Sequence, residues 1–204
     1  MKRVLSFALS LVMLMSITGG LGLTAYAGDT YYETEDNDDY SSADYVPVNS
    51  TIYGVCREYD SDWYKFTLSS SAKVNVQFSF NRADADGDWD VYLYKYDGNG
   101  DYTQLEYKDV YVYDGSYTFS SLGLPAGTYF VKVYGYNSAC GRQYSITPKC
   151  SYVSNWETEF NDEYTSADPL SMGVTRYGVC RGYDRDWYKF VLNAPSTVSV
   201  TFTH

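Results

Sequence analysis

"YETEDNDDYSSADYVPVNSTIYGVCREYDSDWYKFTLSSSAKVNVQFSF" (residues 32–80) returns without a gap as "WETEFNDEYTSADPLSMGVTRYGVCRGYDRDWYKFVLNAPSTVSVTFTH" (156–204), with 26 of 49 positions identical. An offset of 124 residues is too long for a solenoid repeat and marks tandem domains. The first copy takes up 28–150, and 151–204 holds the start of a second. A domain ended after two or three strands would leave an open apolar face and unpaired edges. The expectation is therefore a fragment of a longer protein.

Period-two alternation places the strands. Over 72–80, Val74, Val76, Phe78 and Phe80 alternate with Lys73, Asn75, Gln77 and Ser79; over 62–68, Tyr64, Phe66 and Leu68 share one face. Residues 52–57, "VYLYKY" (91–96), "TYFVKVYGY" (128–136) and "YSITPK" (144–149) read as further strands, separated by turn-rich stretches at 84–88, 97–101 and 124–127. The chain holds 25 Tyr and shows no long helical period. Tyr, Val, Thr and Phe suit pleated, half-buried surfaces. The fold class is all-β, a β-sandwich in tandem with its second copy incomplete.

Residues 1–27 read as a secretory signal peptide: Lys2 and Arg3, an apolar stretch from Val4, then the small-x-small ending Ala25-Tyr26-Ala27. The whole chain has 15 basic and 26 acidic residues, a net charge of −11, and loses two positive charges with the leader. Nucleic acid and anionic membranes need a basic footprint, so neither is an expected partner. The location is secreted or extracellular, where cysteines can pair. If 52–57 runs antiparallel to 143–149, Cys56 comes near Cys140, leaving Cys150 over and Cys180 without its equivalent partner.

Identity between the copies gathers in two acidic motifs. Glu33-x-Glu35-x-Asn37-Asp38 matches Glu157-x-Glu159-x-Asn161-Asp162, and Asp60-x-Asp62-Trp63-Tyr64 matches Asp184-x-Asp186-Trp187-Tyr188. Neighbours such as Asp36/Phe160 and Ser61/Arg185 change freely. Carboxylates with an amide carbonyl are the donors a hard cation such as calcium takes, at six to eight oxygens. Alternate residues of an extended segment point the same way, so Glu33, Glu35 and Asn37 can face one ion. The alternative is a solvated acidic run. "DADGDWD" (84–90) is read as a hairpin turn, because Trp89 stands where a calcium loop needs Gly.

These motifs, with Ala43 and Ala167, Gly54 and Gly178, and later "DVYLY" and "PAGTYFVKV", resemble the bacterial pre-peptidase C-terminal domain. They are also similar to the collagen-binding domains of clostridial collagenases. The resemblance implies a jelly-roll-like sandwich appended to secreted peptidases, with calcium held by the N-terminal acidic segment and a loop before a strand. By position Glu33, Glu35, Asn37, Asp38 and Asp62 carry over, while Asp60 sits one place off.

No catalytic group stands out. The one histidine is His204, whose equivalent is Phe80, so neither a nucleophile–base pair nor an imidazole zinc site assembles. The chain is read as non-enzymatic, with a catalytic domain conceivable beyond residue 204. Tyr92, Tyr94, Tyr96, Phe130, Tyr134 and Tyr136 fall opposite the core-facing positions and offer stacking surfaces for a collagen-like protein or a polysaccharide. Cross-strand pairing that merely stabilises the sheet is the competing reading, and a spacer or folding module without ligand is the other function class.

Overall fold

The computed structural model describes residues 29–57, 60–81, 88–111, 114–136, 139, 141–182 and 184–204. The signal-peptide reading, the 84–88 turn up to residue 87, and Cys140 lie outside them. Every regular element among the described residues is a strand, and two sheets face each other.

The first sheet contains β1 (Thr30–Tyr32), β3 (Thr51–Val55), β11 (Gln143–Ser151), β5 (Ala72–Phe80) and β8 (Ser116–Thr118) in that order, with β9 (Leu122–Leu124) also on β5. The second contains β2 (Asp44–Tyr45), β4 (Ser61–Leu68), β10 (Gly127–Gly135), β6 (Asp88–Gly98) and β7 (Asp101–Tyr111). β3 and β11 are antiparallel as expected, with Val55 opposite Gln143. The turn "DGNGD" joins β6 to β7 with positive φ at Gly98, Asn99 and Gly100; Gly and Asn tolerate that region best. β7 has no clean alternation and was invisible to periodicity.

Alternation holds where it was read. Val74, Val76 and Phe78 of β5 and Ile146 of β11 meet Phe66, Val91, Leu93, Val131 and Val133 of the opposite sheet in one buried core. Phe78 and Phe80 pack on Trp89, with ring centroids 5.7 and 4.4 Å apart. In β4 three consecutive residues, Asp62, Trp63 and Tyr64, are buried. Tyr64 faces the core, while Trp63 on the outer face is covered by Tyr40 and Phe130.

The second repeat reproduces the opening pairings of the first. Asp168 pairs Tyr188 between β12 (Asp168–Pro169) and β13 (Tyr188–Lys189), as Asp44 pairs Tyr64, and Trp156 bridges Tyr177 as Tyr32 pairs Tyr53. Beyond that the surroundings differ. Phe190, Val200 and Phe202 are exposed, while their counterparts Phe66, Val76 and Phe78 lie in the core. Cys56, Cys150 and Cys180 are free thiols, and burial raises the Cys56 pKa. Gly141 N donates to Cys56 O at 2.7 Å, but Cys56 is a free thiol, so the expected Cys56–Cys140 link is not shown.

Candidate metal centre

Residues 33–38 follow β1 with a bend at Glu35, and their burial alternates, Glu33, Glu35 and Asn37 turned inward and Thr34, Asp36 and Asp38 outward. They run beside the start of β4, where Trp63 N donates to Asn37 O at 2.9 Å. That bond brings the two acidic motifs together. One carboxylate oxygen from each of Glu35, Asp38 and Asp60 lies within 4.8 Å of the others. Asp62 is fully buried beside them.

Glu33 plays a different part from the other expected ligands. Its Oε1 accepts from Val55 N at 2.6 Å and its Oε2 from the Tyr64 hydroxyl at 2.6 Å. It therefore braces β3 against β4, and Glu157 does the same with Val179 N (2.5 Å) and Tyr188 (2.7 Å). Asp60 Oδ2 caps Arg57 N at 3.2 Å, as Asp184 caps Arg181 N at 3.3 Å. Asp162 Oδ1 accepts weakly from Arg185 N at 3.4 Å.

Three oxygens are left over, the same three in each repeat, joined in the second by Asn161 Nδ2. Glu35 Oε1, Asn37 Oδ1 and Asp62 Oδ1 are buried without a hydrogen bond; so are Glu159 Oε1, Asn161 Oδ1 and Asp186 Oδ1. Arg57 lies 3.1 Å from Glu35 Oε1 and Arg181 3.5 Å from Glu159 Oε1, ion pairs without hydrogen-bond alignment. A buried acceptor with no donor costs about 1–3 kcal/mol. Two carboxylates and an amide oxygen repeated in that condition fit a hard cation, which needs acceptors and no donors.

The electrostatics agree. Burial, then neighbouring acids, raises the pKa of Glu33 and Glu35 and pushes Asp62 up to about 8. In the second repeat burial pushes Glu159 up to about 7 and Asp186 to about 6. Asp38 is raised chiefly by the hydrogen bond it shares with Asp60. Proton counting agrees that one of the two end carboxyls, Glu33 or Asp62, holds a proton. The chain Glu33–Tyr64–Tyr144–Asp62 has three oxygen–oxygen contacts, with Tyr64 and Tyr144 hydroxyls 2.6 Å apart, but only two phenolic protons. A carboxyl proton completes it.

Two contributors escaped the sequence reading. Asp44 Oδ2 caps Thr34 N at 2.7 Å, repeated by Asp168 and Thr158 at 2.6 Å, so it fixes the acidic segment. Its identity in both copies was the available signal. Tyr144 lies 82 residues from Asp62, beyond any local pattern.

The aromatic face is partly a packed layer. Phe130 was expected to stand exposed, but it is buried beneath Tyr40, Trp63 and Tyr96. Tyr94 stacks on Trp63 and on Tyr92, while Tyr134 meets Tyr136 edge-on. Tyr102, Tyr107, Tyr111 and Tyr136 are among the exposed rings. The hydroxyls of Tyr92, Tyr107 and Tyr136 all donate to Asp90, at 3.2, 2.8 and 3.1 Å.

Sandwich and site together define a β-sandwich module with an acidic cluster at one end. Residues 60–135 match the family model of the bacterial pre-peptidase C-terminal domain. Among solved structures the chain is similar to the pre-peptidase C-terminal domain of collagenase from Bacillus anthracis. That match has 20% identity and a TM-score of 0.40, covering 52% of this chain and 94% of that one. A mitogen from Yersinia pseudotuberculosis also matches, at 12% identity and TM-score 0.27, covering 48% and 91%. No curated protein sequence matches the chain.

Proposed function

We propose that the chain is a secreted, non-catalytic module stabilised by calcium and accessory to an exported enzyme or surface protein. In this reading a leader (1–27) precedes one complete module (28–150) and the start of a second (151–204). Calcium is held by Glu35, Asn37, Asp38, Asp60 and Asp62, with Glu33 bracing the cluster, and by the equivalent residues of the second repeat. The observation that carries the reading is the recurrence of the same three buried oxygens without a hydrogen bond in both repeats. Equilibrium dialysis tests it: two calcium ions per chain are expected, falling to one in Glu35→Gln, with magnesium a poor competitor because it demands strict octahedral geometry. Retention of no calcium would leave the acidic motifs as a solvated, internally braced segment.

Tyr102, Tyr107 and Tyr136 supply the partner surface, suited to a collagen-like protein or a polysaccharide. A spacer role is favoured by a different observation, the packing of Trp63, Tyr94 and Phe130 on one another, which stabilises the sheet without any ligand. Retention on collagen and glycan resins separates the two. For a binding module retention weakens about tenfold or more in Tyr136→Ala, since a lost ring stack is about 1.4 kcal/mol. A spacer is retained by neither resin.

A further inference from the structure

The opening segment of the second repeat does not hang free. Glu159 N donates to Gly123 O at 2.6 Å, adding a backbone bond to the edge of β9 not used by β5. Lys73 Nζ sits 3.8 Å above the Trp156 ring, and Lys95 Nζ 5.2 Å from the Phe160 ring. Arg181 reaches across to β7, bonding Leu105 O at 3.0 Å and Glu106 Oε1 at 2.7 Å. Its counterpart Arg57 pairs with Glu35 while its side chain stays 64% exposed, against 26% for Arg181.

We infer that the β5–β9–β7 surface of the first repeat is a docking site for the opening segment of the repeat that follows, holding tandem modules as one body. Three features make the surface specific. Short β9 presents an unpaired edge, and a backbone donor from outside satisfies it, as in strand addition. Gly123 permits the approach: a Cβ there would overlap the Glu157 carbonyl oxygen and stand 2.7 Å from its carbon and 2.9 Å from Trp156 Cδ1. Glu106 selects the partner by charge, because its ion pair with Arg181 is partly buried and Leu105 O accepts from the same guanidinium nitrogen. The repeat keeps this arginine next to its cysteine in both copies, although Glu58 and Gly182 beside it differ. Rigid docking also fixes the spacing between the two acidic clusters, whatever ion they hold.

Hydrogen exchange on the full chain, in chelator so that the result is independent of the calcium reading, tests the inference. The Glu159 amide is slow in the wild type and exchanges at least about tenfold faster in Gly123→Val and in Glu106→Arg, local opening being readable residue by residue. Amides of Phe66 and Val131 in the first core stay protected in Glu106→Arg. An unprotected Glu159 amide in the wild type, or one unchanged in Glu106→Arg, would overturn the docking site. Loss of protection at Glu159 only together with Phe66 and Val131 would do the same.

Discussion

In calcium at a hundredfold excess over its dissociation constant, the chain is expected to gain about 2.7 kcal/mol per site over chelator, by mass action on the folded state. For a domain of this size the melting temperature rises by several degrees, and the first repeat's share of the gain is lost in Asp62→Asn. The dependence on pH distinguishes a bound ion from general screening. Without an ion, Asp62 keeps its proton in the fold up to about pH 8, whereas in the unfolded chain it ionises near pH 4. Between those values the folded state binds more protons than the unfolded one. Stability in chelator therefore falls as pH rises from about 4 to 8, by roughly 1.4 kcal/mol per unit at most from Asp62 alone. Glu159 and Asp186, pushed to about 7 and 6, act in the same direction. Calcium reverses the slope, because protons and ion compete for the same oxygens and affinity grows with pH. Melts at pH 5 and pH 8, each with calcium and with chelator, provide the four numbers needed. Equal melting points in calcium and chelator at pH 8 would exclude the ion.

Gly54→Ala lowers stability by about 3 kcal/mol, combining overpacking with a displaced buried hydrogen bond. A Cβ at Gly54 would collide with the Tyr64 hydroxyl and lie 2.5 Å from Glu33 Oε2 and 2.6 Å from Tyr144 Cζ. None of these is a free side-chain end, since each belongs to the chain linking β3, β4 and β11. The substitution therefore breaks the brace and displaces Asp62, so calcium binding weakens along with the fold. Denaturant titration of Gly54→Ala, with a matched change at exposed Thr67 as control, reads the effect. A loss below about 1 kcal/mol would mean that the tyrosines shift freely and the brace is soft.

Gly178 shows why the repeat was so informative: its Cβ would stand 2.5 Å from Glu157 Cδ, the same conflict in the second repeat. What survives between the copies is the set of groups whose geometry is shared, namely Glu33, Asp44, Gly54, Asp60, Asp62 and Tyr64 with their counterparts. Comparing the copies exposed most of the acidic cluster without any structure. Alternation likewise located β4, β5, β10 and β11, because burying one face of a strand imposes a period of two. It missed β7, where both faces of the hairpin edge carry polar and aromatic residues and no one-sided burial leaves a mark.

By itself the sequence determined the sandwich class, the core faces and the two acidic motifs that come together, since each follows from local pattern or from duplication. Only the tertiary structure decided that Glu33 braces rather than stands free, that Phe130 is buried by Tyr40 arriving from a distant segment, and that Arg181 turns outward to Glu106. Those outcomes depend on which groups the fold brings opposite one another, and residues 22 to 75 or more positions apart leave no shared period in the chain.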